Sequence, residues 1–214
     1  MRILGDPTRT TAVRAVCLAS VFASLTACGR SEPHAGGDAK YVVTNYANHI
    51  RKEDGFERNG KRDGIWTTYF DDGNRCVQTV FVRGVRDGLT VGWHDNGEVR
   101  FEGQYRDEKA CGTWIEWFES GAKHTERVFE DDQANGPCTC WYESGRVSSA
   151  GWFANGVQDG EWQEWFVGGQ TRARGSYVKG KKQGQWEFFT EASEVDTSLT
   201  GLYVDDVLVE PRAR

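Results

Sequence analysis

Six glycines, Gly64, Gly88, Gly112, Gly136, Gly160 and Gly184, stand 24 residues apart without exception. A fixed period of that length marks a stack of like units, each packed on its neighbours, and not a globule around one core. Two residues after each glycine come Trp66, Thr90, Trp114, Cys138, Trp162 and Trp186, and five after it Tyr69, Trp93, Trp117, Trp141, Trp165 and Phe189. A further column runs Phe81, Tyr105, Phe129, Phe153 and Tyr177. The sixth copy departs as a terminal copy should, with Ser193 for its turn glycine and its closing aromatic, Tyr203, two residues late.

Each copy holds two turn signals. One is Asp72-Gly73, Asn96-Gly97, Ser120-Gly121, Ser144-Gly145 and Gly168-Gly169; the other, between copies, is Asn59-Gly60, Arg83-Gly84, Asn155-Gly156 and Lys179-Gly180, with Glu108 and Asp132 replacing glycine in two copies. Asn-Gly and Asp-Gly suit two-residue type I′ hairpins, because both central residues need positive φ. Turns about 12 residues apart leave strands of roughly eight to ten residues. The expected fold is all-β: a single-layer, twisted antiparallel meander of six 24-residue, two-strand repeats, roughly 12 to 13 strands after residue 56. Composition agrees, with 26 Gly and nine Trp against four Pro. A mean hydropathy of −0.64 argues against a thick core, and 13% aromatic residues argue against disorder.

A two-residue Asp72-Gly73 loop would pair Asp71 with Asn74, Phe70 with Arg75 and Tyr69 with Cys76. Gly64 would then oppose Phe81, and Trp66 would oppose Thr79. Later copies carry Gly103, Gly151 and Gly175 in the Thr79 position, where a small residue lets a neighbouring indole lie flat. Side chains alternate faces, so the Tyr69, Trp93, Trp117, Trp141, Trp165, Phe189 column faces away from Trp66. Its members lie roughly 9–10 Å apart, on every second strand.

The unit Gly-x-Trp-x-x-Tyr/Trp-Phe-x-x-Gly, a spacer of six to eight residues, then Phe/Tyr-x-x-Gly, resembles the MORN-variant repeat, best known from bacterial proteins of the YwqK antitoxin type. The resemblance covers about residues 56–209. It implies a single-layer meander with an interaction role and no catalytic residues.

The N-terminus reads as an export signal. Arg2, Arg9 and Arg14 precede an apolar run, Ala15 to Leu25, that is shorter than the roughly 20 residues of a membrane span. Leu25-Thr26-Ala27-Cys28-Gly29 resembles the bacterial lipobox, which implies cleavage before Cys28 and lipid on its thiol. A chance cysteine after an ordinary signal is the alternative. Gly29 stands where an Asp would imply inner-membrane retention, so the outer membrane is the better expectation. An antitoxin that acts before export would stay in the cytoplasm, and the signal departs from that pattern. The expected division is signal 1–27, tether and N-terminal cap 28–55, repeat domain 56–209 and tail 210–214.

Without residues 1–27, which hold three Arg and one Asp, 23 basic and 31 acidic residues remain, a balance of −8. That disfavours nucleic acid and anionic headgroups as general partners and favours a basic protein, such as a toxin. No catalytic constellation, phosphate loop or dinucleotide fingerprint is found, so neither an enzyme nor a cofactor is expected. His34, His49, His94 and His124 lack metal-ligand spacing, and Asp63, Asp87 and Asp159 read as turn residues, not as glycosidase acids. Cys138 and Cys140 should share a face, with Cys76 and Cys111 on the other; apolar packing is the first reading and a disulfide under another register the second. The candidate partner-binding residues are the mid-strand column: Tyr69, Trp93, Trp117, Trp141, Trp165 and Phe189. The bland alternative is that this column is a packing ladder shielded by long polar side chains.

Overall fold

A computed structural model describes residues 38–211; Cys28 and the signal segment lie outside the described residues. The described chain is all-β, an open antiparallel sheet of 15 strands in sequence order. The strands are β1 (Ala39–Asn45), β2 (Arg51–Arg58), β3 (Lys61–Tyr69), β4 (Arg75–Val82), β5 (Val85–Trp93), β6 (Val99–Arg106), β7 (Lys109–Trp117) and β8 (Lys123–Glu130). They continue with β9 (Gln133–Trp141), β10 (Val147–Ala154), β11 (Val157–Trp165), β12 (Thr171–Val178), β13 (Lys181–Phe188), β14 (Gly201–Val204) and β15 (Val207–Pro211). The meander expected from the repeat is thus the fold. It also extends further toward the N-terminus, because β1 and the first part of β2 fall within the stretch read as tether and cap.

Those two strands are a degenerate copy of the repeat. Lys40 pairs with Glu57 and Val42 with Gly55, and the register shifts between Thr44 and Asn45. In the first recognised copy, Gly64 pairs with Phe81 and Trp66 with Thr79, with the shift between Thr68 and Tyr69. Every position is displaced by 24 residues.

The between-copy turns are two-residue hairpins with positive φ at both positions. Asn59 and Gly60 lie at 52° and 71°, and Asp131 and Asp132, without a glycine, at 48° and 68°. Asp63 and Asp159 accept the N–H of Arg83 and Lys179 in these turns, which accounts for their recurrence.

The within-copy turns correct the expected two-residue loop. Gly73 donates to the Phe70 carbonyl, and Phe70 N–H donates to the Asn74 carbonyl. This is a three-residue loop, a type I corner followed by Gly73 at φ 93°. Tyr69 therefore pairs with Arg75, not Cys76. Cys76 is the extra residue of a bulge, and that bulge restores the register, so Gly64 still faces Phe81 and Trp66 faces Thr79. The glycine–aromatic pair recurs in each copy, and in the last one Gly184 meets Tyr203 because the 190–200 loop absorbs the two added residues.

One face holds most of the buried tryptophans. Trp66 is 3% exposed and Trp186 1%, with Trp162 also buried. Each lies flat on a glycine of the preceding strand: Trp66 on Gly55, Trp114 on Gly103, Trp162 on Gly151 and Trp186 on Gly175, where a Cβ would fall inside contact distance of the indole. The copies without this Trp lack the glycine as well, since Thr79 pairs with Thr90 and Arg127 with Cys138. Indole N–H groups of Trp66, Trp162 and Trp186 donate to the carbonyls of Phe56, Trp152 and Ser176 at 2.8, 3.1 and 3.0 Å. Rings stack edge-on in series, Phe153 to Trp162, Trp162 to Tyr177 and Tyr177 to Trp186, at 5.4, 6.0 and 4.9 Å between centroids.

Candidate protein-binding face

The opposite face carries the mid-strand column. Its six residues are half-buried except Trp93, which is 9% exposed. Tyr69 points its hydroxyl to Asp54 (3.2 Å), a buried carboxylate that also accepts from Tyr41 and from Arg51 at 2.6 Å. This cluster closes the N-terminal end of the face: the bonded carboxylate keeps the Tyr41 hydroxyl above its ordinary pKa, and the Tyr69 hydroxyl first and the Asp54 charge second keep the Arg51 guanidinium above its own.

Cations lie over four of the six rings: Arg51 over Tyr69, Arg75 over Trp93, Lys123 over Trp141 and Arg174 over Phe189, at 5.8, 5.5, 5.2 and 5.6 Å from the centroids. Such contacts hold long side chains across the aromatic surface. Trp117 and Trp165 carry no such cover among the described residues. Their backbone carbonyls are held from the neighbouring copy, Trp117 by His94 Nε2 at 2.9 Å and Trp165 by the Tyr142 hydroxyl at 2.7 Å. The column is therefore one row with two open rings.

Toward the C-terminal end the same face forms a groove of about 880 Å³. Trp165 lines it together with Glu161, Gln163, Arg174, Gln185 and Glu187, and Glu210 of β15 closes one side. Arg174 is bonded to Glu187 at 2.5 Å. Three glutamates against one arginine leave the groove acidic, which suits a basic surface. These polar residues were not singled out by the sequence, because the residue type at their repeat positions changes from copy to copy, as in Leu89, Thr113, Pro137, Glu161 and Gln185. Their signal was only that they alternate with the buried Trp slot.

Glu102 was missed for the same reason. It pairs with Val91 on one side and Ile115 on the other, in the middle of the mid-strand face, and is 8% exposed. Burial raises its carboxyl pKa, and the attraction of Lys123, itself bonded to Glu126 at 2.8 Å, only partly opposes this. A folded-state pKa above the unfolded value favours folding at low pH and loses that contribution as pH rises through it. Glu102→Gln is therefore expected to raise the melting temperature at pH 7, and the gain should vanish below about pH 4, where the carboxyl is protonated in both states. Melting curves of both chains at the two pH values check this.

Among the described residues no group of three or more His, Cys, Asp or Glu side chains forms a metal site. No disulfide joins Cys76, Cys111, Cys138 or Cys140 among the described residues. Cys138 and Cys140 share a face, as expected, with their sulfurs 4.0 Å apart.

No curated protein matches the chain. The MORN repeat variant family matches at residues 86–107, a stretch that spans the β5–β6 hairpin from Arg86 to the turn at Asp107, so one copy of the 24-residue unit carries that family's pattern.

Proposed function

We propose that this chain is a non-enzymatic repeat scaffold that binds a protein partner on its mid-strand aromatic face, while lipid on Cys28 holds it at the bacterial cell envelope. The observation that carries the binding reading is Trp165, an aromatic ring without a cation over it, lining an acidic groove on a rigid sheet. Aromatic residues on a rigid platform make strong contact anchors. The MORN-variant match supports a scaffold role. The lipobox-like Leu25-Thr26-Ala27-Cys28 supports the anchor, and Gly29 makes the outer membrane the preferred site.

Two experiments test this reading. Cys28→Ala is expected to abolish palmitate labelling and release the chain from membranes; unchanged labelling and membrane retention would remove the anchor. Pull-down from envelope extract with residues 29–214 is expected to retain a protein with a basic contact surface. A second reading, a YwqK-type antitoxin that captures a toxin, draws on the family resemblance and on the −8 balance after residue 27. A toxin-domain gene beside this one would favour it over the first.

A further inference from the structure

The fourth copy breaks the tryptophan–glycine rule at both positions at once. Cys138 stands in the Trp slot, Arg127 stands in the glycine slot, and the two pair directly across β8 and β9. Cys140 follows two residues later on the same face, with its sulfur 4.0 Å from that of Cys138. Cys138 is 3% exposed, and Cys140, half-buried, opens the pair to one side. Arg127 extends over the Phe153 ring at 5.7 Å, and its Nε is buried without an acceptor. A buried donor left unsatisfied beside two sulfurs gains a charged partner when a thiolate forms.

We propose that Cys138 and Cys140 form a two-thiolate site for a monovalent soft cation of the copper(I) type, with Arg127 as its charge partner. Three arguments lead there. Metal–sulfur bonds of about 2.3 Å place two sulfurs on one ion between about 3.8 Å apart at a tetrahedral angle and about 4.6 Å in line. The observed 4.0 Å falls within that interval, and a side-chain rotation that opens the sulfurs by about 0.6 Å reaches the in-line arrangement of a two-ligand site without moving the strand. A disulfide instead needs sulfurs about 2.05 Å apart and Cβ atoms about 3.8 Å apart, a poor fit to alternate residues of one extended strand.

The second argument is charge. Two thiolates, one monovalent cation and the Arg127 guanidinium sum to zero, which a half-buried site favours over a residual charge. The third is ligand number. Structural zinc takes four protein ligands, and no third His, Cys, Asp or Glu joins the pair among the described residues. Soft thiolates select copper(I), and monovalent ions of this type accept two ligands.

On binding, both thiols release their protons to solvent as the cation takes their place, and no electron is transferred.

The test uses the full chain, reduced, freed of reductant and kept under nitrogen, with copper(I) as the probe against the chelator bicinchoninate. One copper(I) per chain should resist the chelator. Cys140→Ser should weaken retention about 100-fold, and Arg127→Gln about tenfold with recovery in Arg127→Lys. Cys76→Ser should leave retention within about twofold. Circular dichroism of Cys140→Ser confirms that the fold is intact. Complete stripping of the unaltered chain, or equal retention by Cys140→Ser, would overturn the site. So would a Cys138–Cys140 disulfide in aerobically isolated protein that takes up no copper(I) once reduced.

Discussion

Trp186→Ala is expected to lower stability by about 3–5 kcal/mol, the usual cost of emptying a buried tryptophan site. Trp186 is 1% exposed. It lies on Gly175 and packs against Tyr177 and Phe188 at 4.9 and 5.7 Å, and its indole N–H is bonded to the Ser176 carbonyl. The single layer offers little surrounding mass that could collapse into the space. At roughly 2–4 °C per kcal/mol for a chain of this size, the loss is about 6–20 °C in melting temperature. Trp186 sits in the last full copy, so unfolding should begin there and the transition should broaden, as in other repeat arrays when one interface weakens. Thermal melting by circular dichroism checks both points. A change below about 1 kcal/mol would mean that the indole is not a structural keystone.

The second large effect tests the tryptophan–glycine rule itself. In the second copy Thr79 and Thr90 pair directly, with their hydroxyls 2.7 Å apart. Thr90→Trp puts an indole where no glycine receives it, and overpacking of this kind typically costs about 1–3 kcal/mol. Thr79→Gly alone removes the hydroxyl contact and a β-branched residue from a strand, an expected loss of about 1 kcal/mol. Together the two changes recreate the arrangement of Trp162 on Gly151, and the pair should be more stable than the sum of the single changes by at least about 1 kcal/mol. Denaturant unfolding of the four chains measures that coupling. Additive losses would mean that the glycines are there for the backbone and not for the ring.

That rule shows how far the sequence was legible. The 24-residue glycine period and the aromatic columns were enough to predict the meander, and the second column found its Trp–glycine packing because Gly103, Gly151 and Gly175 break a run of larger residues. The type I′ turns were legible in Asn59-Gly60 and Asn155-Gly156, where positive φ is needed at both positions. Asp72-Gly73 misled, because Asp-Gly also closes a type I corner with glycine in the bulge position. The slip had no consequence for the faces, since the bulge at Cys76 cancels the longer loop.

The N-terminal copy was hidden for a different reason. Lys40, Val42, His49 and Glu57 stand where later copies have glycine, tryptophan, glycine and phenylalanine, so only the backbone register reveals it. The candidate face was legible as a row of aromatics but not as an environment. Which rings are covered depends on arginines and a lysine from neighbouring copies, such as Arg75 over Trp93 and Lys123 over Trp141. Those positions vary from copy to copy. The groove at Trp165 arises from residues on several strands that no local pattern joins.

The reading of the mid-strand face as a contact surface is tested most directly at its two open rings. Trp117→Ala and Trp165→Ala are each measured for melting temperature and for affinity toward the partner recovered by pull-down. The expected result is a loss of about 2 kcal/mol or more in affinity, roughly 30-fold, with little change in melting. A large drop in melting temperature for both, with undiminished binding by the folded fraction, would make the column a packing ladder and contradict the proposed function.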